Sequence, residues 1–118
     1  MIESKPKKKQ TWSVYILRCD GRCLYTGIAA DVARRLAEHA AGSPKGARFT
    51  RGFTRLELVY QACLGDRSLA TRAEARIKRL PRRRKEALVR KHPSPAELLE
   101  LLELPRFEGL EDQEGRDA

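Results

Sequence analysis

The sequence predicts an α+β fold, a small three-stranded antiparallel sheet flanked by helices. Three observations lead there. Trp12 to Leu17 alternates β-branched and aromatic residues, Cys23 to Ile28 does so more loosely, and the Asp20-Gly21 pair between them is a strong hairpin signal. A third alternating run, Leu56 to Leu64, supplies another strand. Apolar stripes at helical spacing follow both the hairpin and the third strand.

Residues 1–11 form a polar arm with Lys5, Lys7, Lys8 and Lys9 around Pro6, expected to be flexible. In the first strand, alternation sets Trp12, Val14 and Ile16 on one face and Ser13, Tyr15 and Leu17 on the other. Periodicity therefore does not force Tyr15 into the main core. Gly27 follows Tyr25-Thr26 directly; a missing side chain there admits a backbone or a ligand phosphate, or marks a bulge or strand end. A helix then runs from about Asp31, its N-cap, to Ala41, with Val32, Leu36 and Ala40 inward. Arg35 and His39 are four residues apart and share a face, and a planar, permanently charged guanidinium suits a phosphodiester. Arg34 lies off that face and reads as a surface residue. His39 is either part of a polar site or a helix-surface imidazole. Two phenols (Tyr15 and Tyr25), a guanidinium and an imidazole within one short span point to a polar site rather than plain core.

The turn-rich loop Gly42 to Gly46 ends this helix. Lys45, Arg48, Phe49 and Arg51 interleave positive charge with one aromatic, which suits contact with a nucleic-acid backbone and stacking on a base. Phe49 is equally suited to anchoring the loop on the core. After the third strand, Asp66 or Ser68 caps a helix whose stripe is Leu69, Ala70, Ala73, Ile77 and Leu80. Glu74 sits beside that stripe, one turn before Lys78; locally this is an i,i+4 pair worth about 0.2–0.5 kcal/mol. Pro81 opens a short helix to Lys91, and Arg82, Arg83, Arg84 and Lys85 make its first turn a phosphate-binding candidate or a solvated face. Ser94, Pro95 and Glu97 form a capping box before a leucine-rich helix, Ala96 to Leu104. That helix either packs on the domain or mediates self-association. The expected organisation is an arm (1–11), one domain (12–92), a C-terminal helix (93–104) and an acidic, disordered tail (105–118).

Composition narrows the function classes. The chain has 118 residues, enough for one modest core. No run approaches the ~18–20 apolar residues of a membrane span, and the lysine-rich start lacks the apolar centre of a secretion signal. A cytoplasmic protein with no membrane partner is the expectation. The net charge of +9 is unevenly placed: residues 1–93 hold 23 Lys and Arg against 8 Asp and Glu, whereas 94–118 hold 2 against 8. A body that basic attracts polyphosphate backbones. Three cysteines, Cys19, Cys23 and Cys63, are an odd number in such a chain and read as reduced thiols. Only His39 and His92 are available to complete a zinc site with them.

Order and spacing together carry a resemblance. Val14-Tyr15-Ile16 and Tyr25-Thr26-Gly27 resemble the two triplets of the GIY-YIG nucleases, with Arg35 ten residues after the second tyrosine and Glu74 on a later helix. Tyr25 to Ile28, Arg34 to His39, Arg48 to Arg51, and Glu74 with Ile77-Lys78 are similar to the small single-domain bacterial members of the superfamily (YhbQ-like). The likeness spans residues 12 to 91. It implies a GIY-YIG endonuclease-like fold and a metal-dependent endonuclease cutting DNA phosphodiester bonds in repair or recombination. Catalytic residues would be Tyr15, Tyr25, Arg35, His39 and Glu74, with Glu74 holding one divalent cation, Mg²⁺ or Mn²⁺. Arg35 would clamp the scissile phosphate and a tyrosine would orient or deprotonate water. Gly27, Lys45, Arg48, Phe49, Arg51, Lys78, Arg82, Arg83 and Arg84 would contact the nucleic acid. Branched, nicked and single-stranded DNA stand open as substrates, and RNA with them. An inactive binding module and a nuclease core that needs a protein partner are the competing readings.

Three departures bear on substrate geometry rather than fold. Val14 stands where the first triplet has glycine. Ile28 occupies a position that is lysine in larger repair nucleases of the superfamily. Those enzymes also carry a late asparagine, and this chain has none.

Overall fold

The computed structural model describes residues 10–41 and 52–105. In chain order these form β1 (Trp12–Cys19), β2 (Cys23–Ala29), α1 (Val32–Ala40), β3 (Leu56–Gly65), α2 (Arg67–Arg79), α3 (Arg82–Lys91) and α4 (Pro95–Leu101). The α+β architecture read from the sequence is the one observed. Its three strands are antiparallel and run in the order β2-β1-β3.

Asp20 and Gly21 make the hairpin turn, with φ of 48° and 71°. Glycine enters that region freely and aspartate tolerates it. The Asp20 carboxylate also accepts from the Arg55 and Thr54 backbone N–H groups, at 2.7 and 3.0 Å. The turn is thereby tied to the chain entering β3. Cys19 and Cys23 are register partners beside it and remain free thiols, as does Cys63.

As the central strand, β1 is covered on both faces, so Val14, Tyr15, Ile16 and Leu17 are all buried. Val14 and Ile16 join Tyr60, Leu69, Ala73, Ile77 and Leu88 in the larger core. Tyr15, Leu17 and Cys19 point the other way, into a smaller cluster with Ala29 and Val32 that Tyr25 and Leu36 flank. Each fully buried leucine or isoleucine contributes about 1.5–3 kcal/mol by leaving water. The smaller cluster has fewer such residues and carries the polar groups of the site.

Helix caps match their sequence signals, with local corrections. Asp31 caps α1 by accepting from the Arg34 N–H at 3.1 Å. The inward position expected for Ala40 belongs to His39, which is 3 % exposed, while Ala40 is exposed. Asp66, not Ser68, caps α2 by accepting from the Leu69 N–H at 3.2 Å. The capping box on α4 is complete, but the helix ends at Leu101, short of Leu104. Glu103 takes φ 58°, and the Leu104 N–H turns back to the Leu99 carbonyl at 2.8 Å. This terminus drives Leu104 into the core with Leu98, Leu99 and Leu102. Of the two readings of this helix, packing on its own domain is the one observed, and Leu101 stays 39 % exposed.

α3 is held to the hairpin by a charged clasp. Arg18 grips Glu86 through two bonds of 2.9 Å, and Arg82 meets the same carboxylate at 2.9 Å while also donating to the Arg22 carbonyl. The Arg18 bonds, with help from Arg82, pull the Glu86 carboxyl down to about 2 against burial. Because its folded value lies below the unfolded one, Glu86 adds stability above pH ~4.5 that is lost as pH falls towards 2. Glu86→Ala is expected to cost about 1–2 kcal/mol at neutral pH, discounted for partial solvent screening. Urea unfolding checks this, and a loss that did not shrink below pH 3 would dismiss the clasp as its source.

Among the described residues, no helix is long and apolar enough to cross a membrane.

Candidate active site

Register brings the two motif tyrosines to one face of the sheet. Tyr15 pairs with Gly27, and Leu17 with Tyr25, so Tyr15, Leu17, Tyr25 and Gly27 share the side that α1 covers. A Cβ built on Gly27 would stand 2.6 Å from Tyr15 Oη and 2.8 Å from Cζ. The tyrosine therefore lies across the strand in the space that a side chain would fill. Gly27 was read as admitting a backbone or a ligand phosphate, or as a bulge or strand end; in the structure it is buried and the Tyr15 ring lies against it. This is the close approach that the sequence pointed to, with a different occupant.

α1 delivers His39 and Arg35 to the same place. Tyr15 Oη and His39 Nε2 are 3.0 Å apart in a buried contact. The Tyr25 ring lies 5.4 Å from the His39 ring and 6.4 Å from that of Tyr15, tilted against both. His39 is therefore buried against Tyr15 and not a helix-surface imidazole. Burial holds the Tyr15 phenol above its ordinary pKa, and Tyr25 and Glu74 add to this against the pull of Arg35. Burial also pushes the His39 imidazolium down, reinforced by Arg35 and opposed by Glu38. At neutral pH Tyr15 is therefore a phenol and His39 a neutral imidazole. With both groups neutral, either tautomer closes this bond, and the one with its proton on Nδ1 leaves Nε2 to accept from the phenol O–H.

Tyr15 and His39 form the dry back of the site. Tyr25, Arg35 and Glu74 are only half-buried and form its wet front. Burial raises the Tyr25 phenol too, with Lys78 and Arg35 opposing and Glu74 assisting. Glu74 and Lys78 make the i,i+4 pair expected locally, at 3.2 Å, and both also act on Tyr25. Glu74 thus satisfies the bland reading and still faces the cluster. On the outer side of Arg35 lies an open cavity of about 460 Å³, walled by Ala29, Ala30, Arg34 and Glu38 among others.

Among the described residues, no three or more His, Cys, Asp or Glu side chains gather as a metal cage. Glu74 is a single carboxylate beside two phenols. That donor set fits a hard divalent cation that keeps several waters and takes substrate oxygens, and it does not fit structural zinc.

The other expected contacts scatter. Lys78 is exposed next to the site, and Arg83 and Arg84 are exposed on α3. Arg82 is committed to the Glu86 clasp. Lys45, Arg48, Phe49 and Arg51 lie outside the described residues. Sequence reasoning passed over Glu38, which meets both Arg34 and Arg35. Its signal was present in the spacing, three residues after Arg35 and four after Arg34.

Comparison with known proteins gives four matches. The family model described as the GIY-YIG catalytic domain matches residues 11–87. The UPF0213 protein YhbQ of Escherichia coli K12 is 48 % identical over 96 residues, covering 81 % of this chain and 94 % of that protein. Its counterpart in Shigella dysenteriae is 47 % identical over the same span. The solution NMR structure of the UPF0213 protein BH0048 from Bacillus halodurans is 39 % identical. It covers 80 % of this chain and 99 % of its own, with a TM-score of 0.46.

Proposed function

Since the chain belongs to the GIY-YIG catalytic-domain family, we propose that it is a metal-dependent endonuclease that hydrolyses DNA phosphodiester bonds, acting on DNA structure in repair or recombination. The observation that carries this reading is the buried Tyr15–His39 hydrogen bond, set beside Tyr25, Arg35 and Glu74. A water at the front of the site loses its proton to the Tyr15 oxygen as Tyr15 passes its own to His39 Nε2. A phenol held above its ordinary pKa is a poor base by itself, and the neutral imidazole behind it supplies the missing acceptor. Arg35 binds the scissile phosphate and meets the charge that develops on it. When bound, a divalent cation, Mg²⁺ or Mn²⁺, supplies Lewis-acid stabilisation of the leaving 3′-oxygen, with Glu74 as its protein ligand. Lys78, Arg83 and Arg84 are the proposed backbone contacts. A patch this small reads shape and charge more than sequence.

The test is cleavage of labelled duplex, nicked, flapped, junction and single-stranded DNA, and of single-stranded RNA, with Mg²⁺, Mn²⁺ or chelator. Cutting that needs the metal and favours one DNA structure is the expected result. Binding without cutting under every condition would move the chain to the class of binding modules or partner-dependent subunits.

The pH profile has a definite sign. The relay needs neutral His39, whose pKa lies below the ordinary 6.5. kcat/KM is expected to stay level around pH 7 and to fall about tenfold per pH unit only below His39's depressed pKa. An acid limb starting above pH 7, or its persistence in His39→Asn, would remove His39 from the relay.

A further inference from the structure

We infer that Glu38 is the positioning residue for Arg35: it fixes the plane of the guanidinium that takes the scissile phosphate. This rests on the nuclease reading above and extends it to a residue with no place in the motif.

The geometry is specific. Glu38 Oε1 accepts from Arg35 Nε at 3.1 Å, while Oε2 lies 3.6 Å from Arg34 Nε. A guanidinium is flat and rigid, so a bond at Nε sets the direction of its two Nη groups. Held at Nε, the Arg35 guanidinium turns its remaining donors into the site, where it also hydrogen-bonds Tyr15. The Glu38 side chain is only 18 % exposed, against 38 % for Arg35 and 70 % for Arg34. The carboxylate is therefore the fixed partner, and Arg34 is the loose one.

Helix energetics give no other reason for a glutamate here. Glu38 lies in the last turn of α1, where the helix dipole disfavours negative charge. Both pairs also run from arginine to a later glutamate, the less favourable order along a helix. Ion pairs near the surface of this kind add little to stability. A residue that is poor for its own helix and still holds the phosphate-binding arginine is explained by what it does for that arginine.

The experiment compares wild type with Glu38→Gln, Glu38→Ala and Arg34→Ala. Cleavage kinetics are read on the preferred DNA, and the Arg35 Nε–H signal in ¹H–¹⁵N spectra, assigned with Arg35→Lys. Glu38→Ala is expected to lower kcat about tenfold with KM within twofold, because misplacing a reacting group costs rate rather than binding. Its Arg35 Nε–H signal should move into the bulk arginine envelope, with the melting temperature shifted by a few degrees at most. Glu38→Gln keeps an acceptor at the same reach and should recover most of the rate and the signal. Arg34→Ala should leave both unchanged. An unmoved Arg35 signal in Glu38→Ala, or a normal kcat in that variant, overturns the inference. If no variant and no wild type cuts any nucleic acid, the nuclease reading has failed. In that case the Arg35 signal alone decides whether Glu38 holds the guanidinium.

Discussion

Gly27→Ala is expected to destabilise the protein by about 2–4 kcal/mol and to abolish most activity at once. The added methyl would lie 2.6 Å from Tyr15 Oη and 2.8 Å from Cζ, well inside contact distance. Tyr15 is 1 % exposed and packed in the smaller core cluster, so the ring has little room to retreat. Overpacking of this kind costs ~1–3 kcal/mol, and a displaced ring also loses the bond to His39, worth ~1 kcal/mol more. In a domain of this size the melting temperature should drop by roughly 10 °C. Losing the dry contact also lets His39 return towards its ordinary pKa, which an imidazole NMR titration reads directly. Adding Tyr15→Phe removes the 2.6 Å clash but leaves the one at Cζ, so the double variant should regain only part of the stability. A Gly27→Ala protein with wild-type melting behaviour would show that Tyr15 does not lie where it is described.

Glu74→Gln should reduce metal-dependent cleavage by about 10²–10³-fold while leaving the fold intact. The substitution keeps the shape and removes the charge. Among the described residues its ion pair is with Lys78 at 3.2 Å, a partly exposed i,i+4 pair, so the stability change should stay within about 0.5 kcal/mol. DNA binding without metal should hold or tighten slightly, since a negative charge has left a basic surface. The two readouts therefore move apart, slower cutting with undiminished binding. Equal cutting by the variant and wild type, at matched metal concentration, would sink the role of Glu74. A parallel loss of binding and stability would mark Glu74 as a structural residue rather than a metal ligand.

The elements were legible in the sequence because their causes are local. Asp20-Gly21 fixed the hairpin through two positive-φ positions, and Asp31, Asp66 and Ser94 marked helix starts through their own side-chain bonds. Alternation in β1 and β3 and helical stripes in α1 and α2 were enough for element type and order. The motif residues were named by their spacing, with Tyr15, Tyr25, Arg35, His39 and Glu74 each in its expected element.

Burial and partnership were decided by the tertiary structure, because they depend on what packs from outside the segment. Strict alternation in β1 says nothing about whether a second face is covered; α1 covers it, and Tyr15 and His39 become buried partners across 24 positions. Gly27 could be read as open space, but only the β1–β2 register shows that the Tyr15 ring fills it. Arg82 read as a phosphate-binding candidate or a solvated-face residue, and only the tertiary structure shows that Arg18, 64 positions earlier, shares its Glu86 partner. Local chemistry chose the groups, and the pairing of distant elements set their distances, their protonation states and the side of the site that meets solvent.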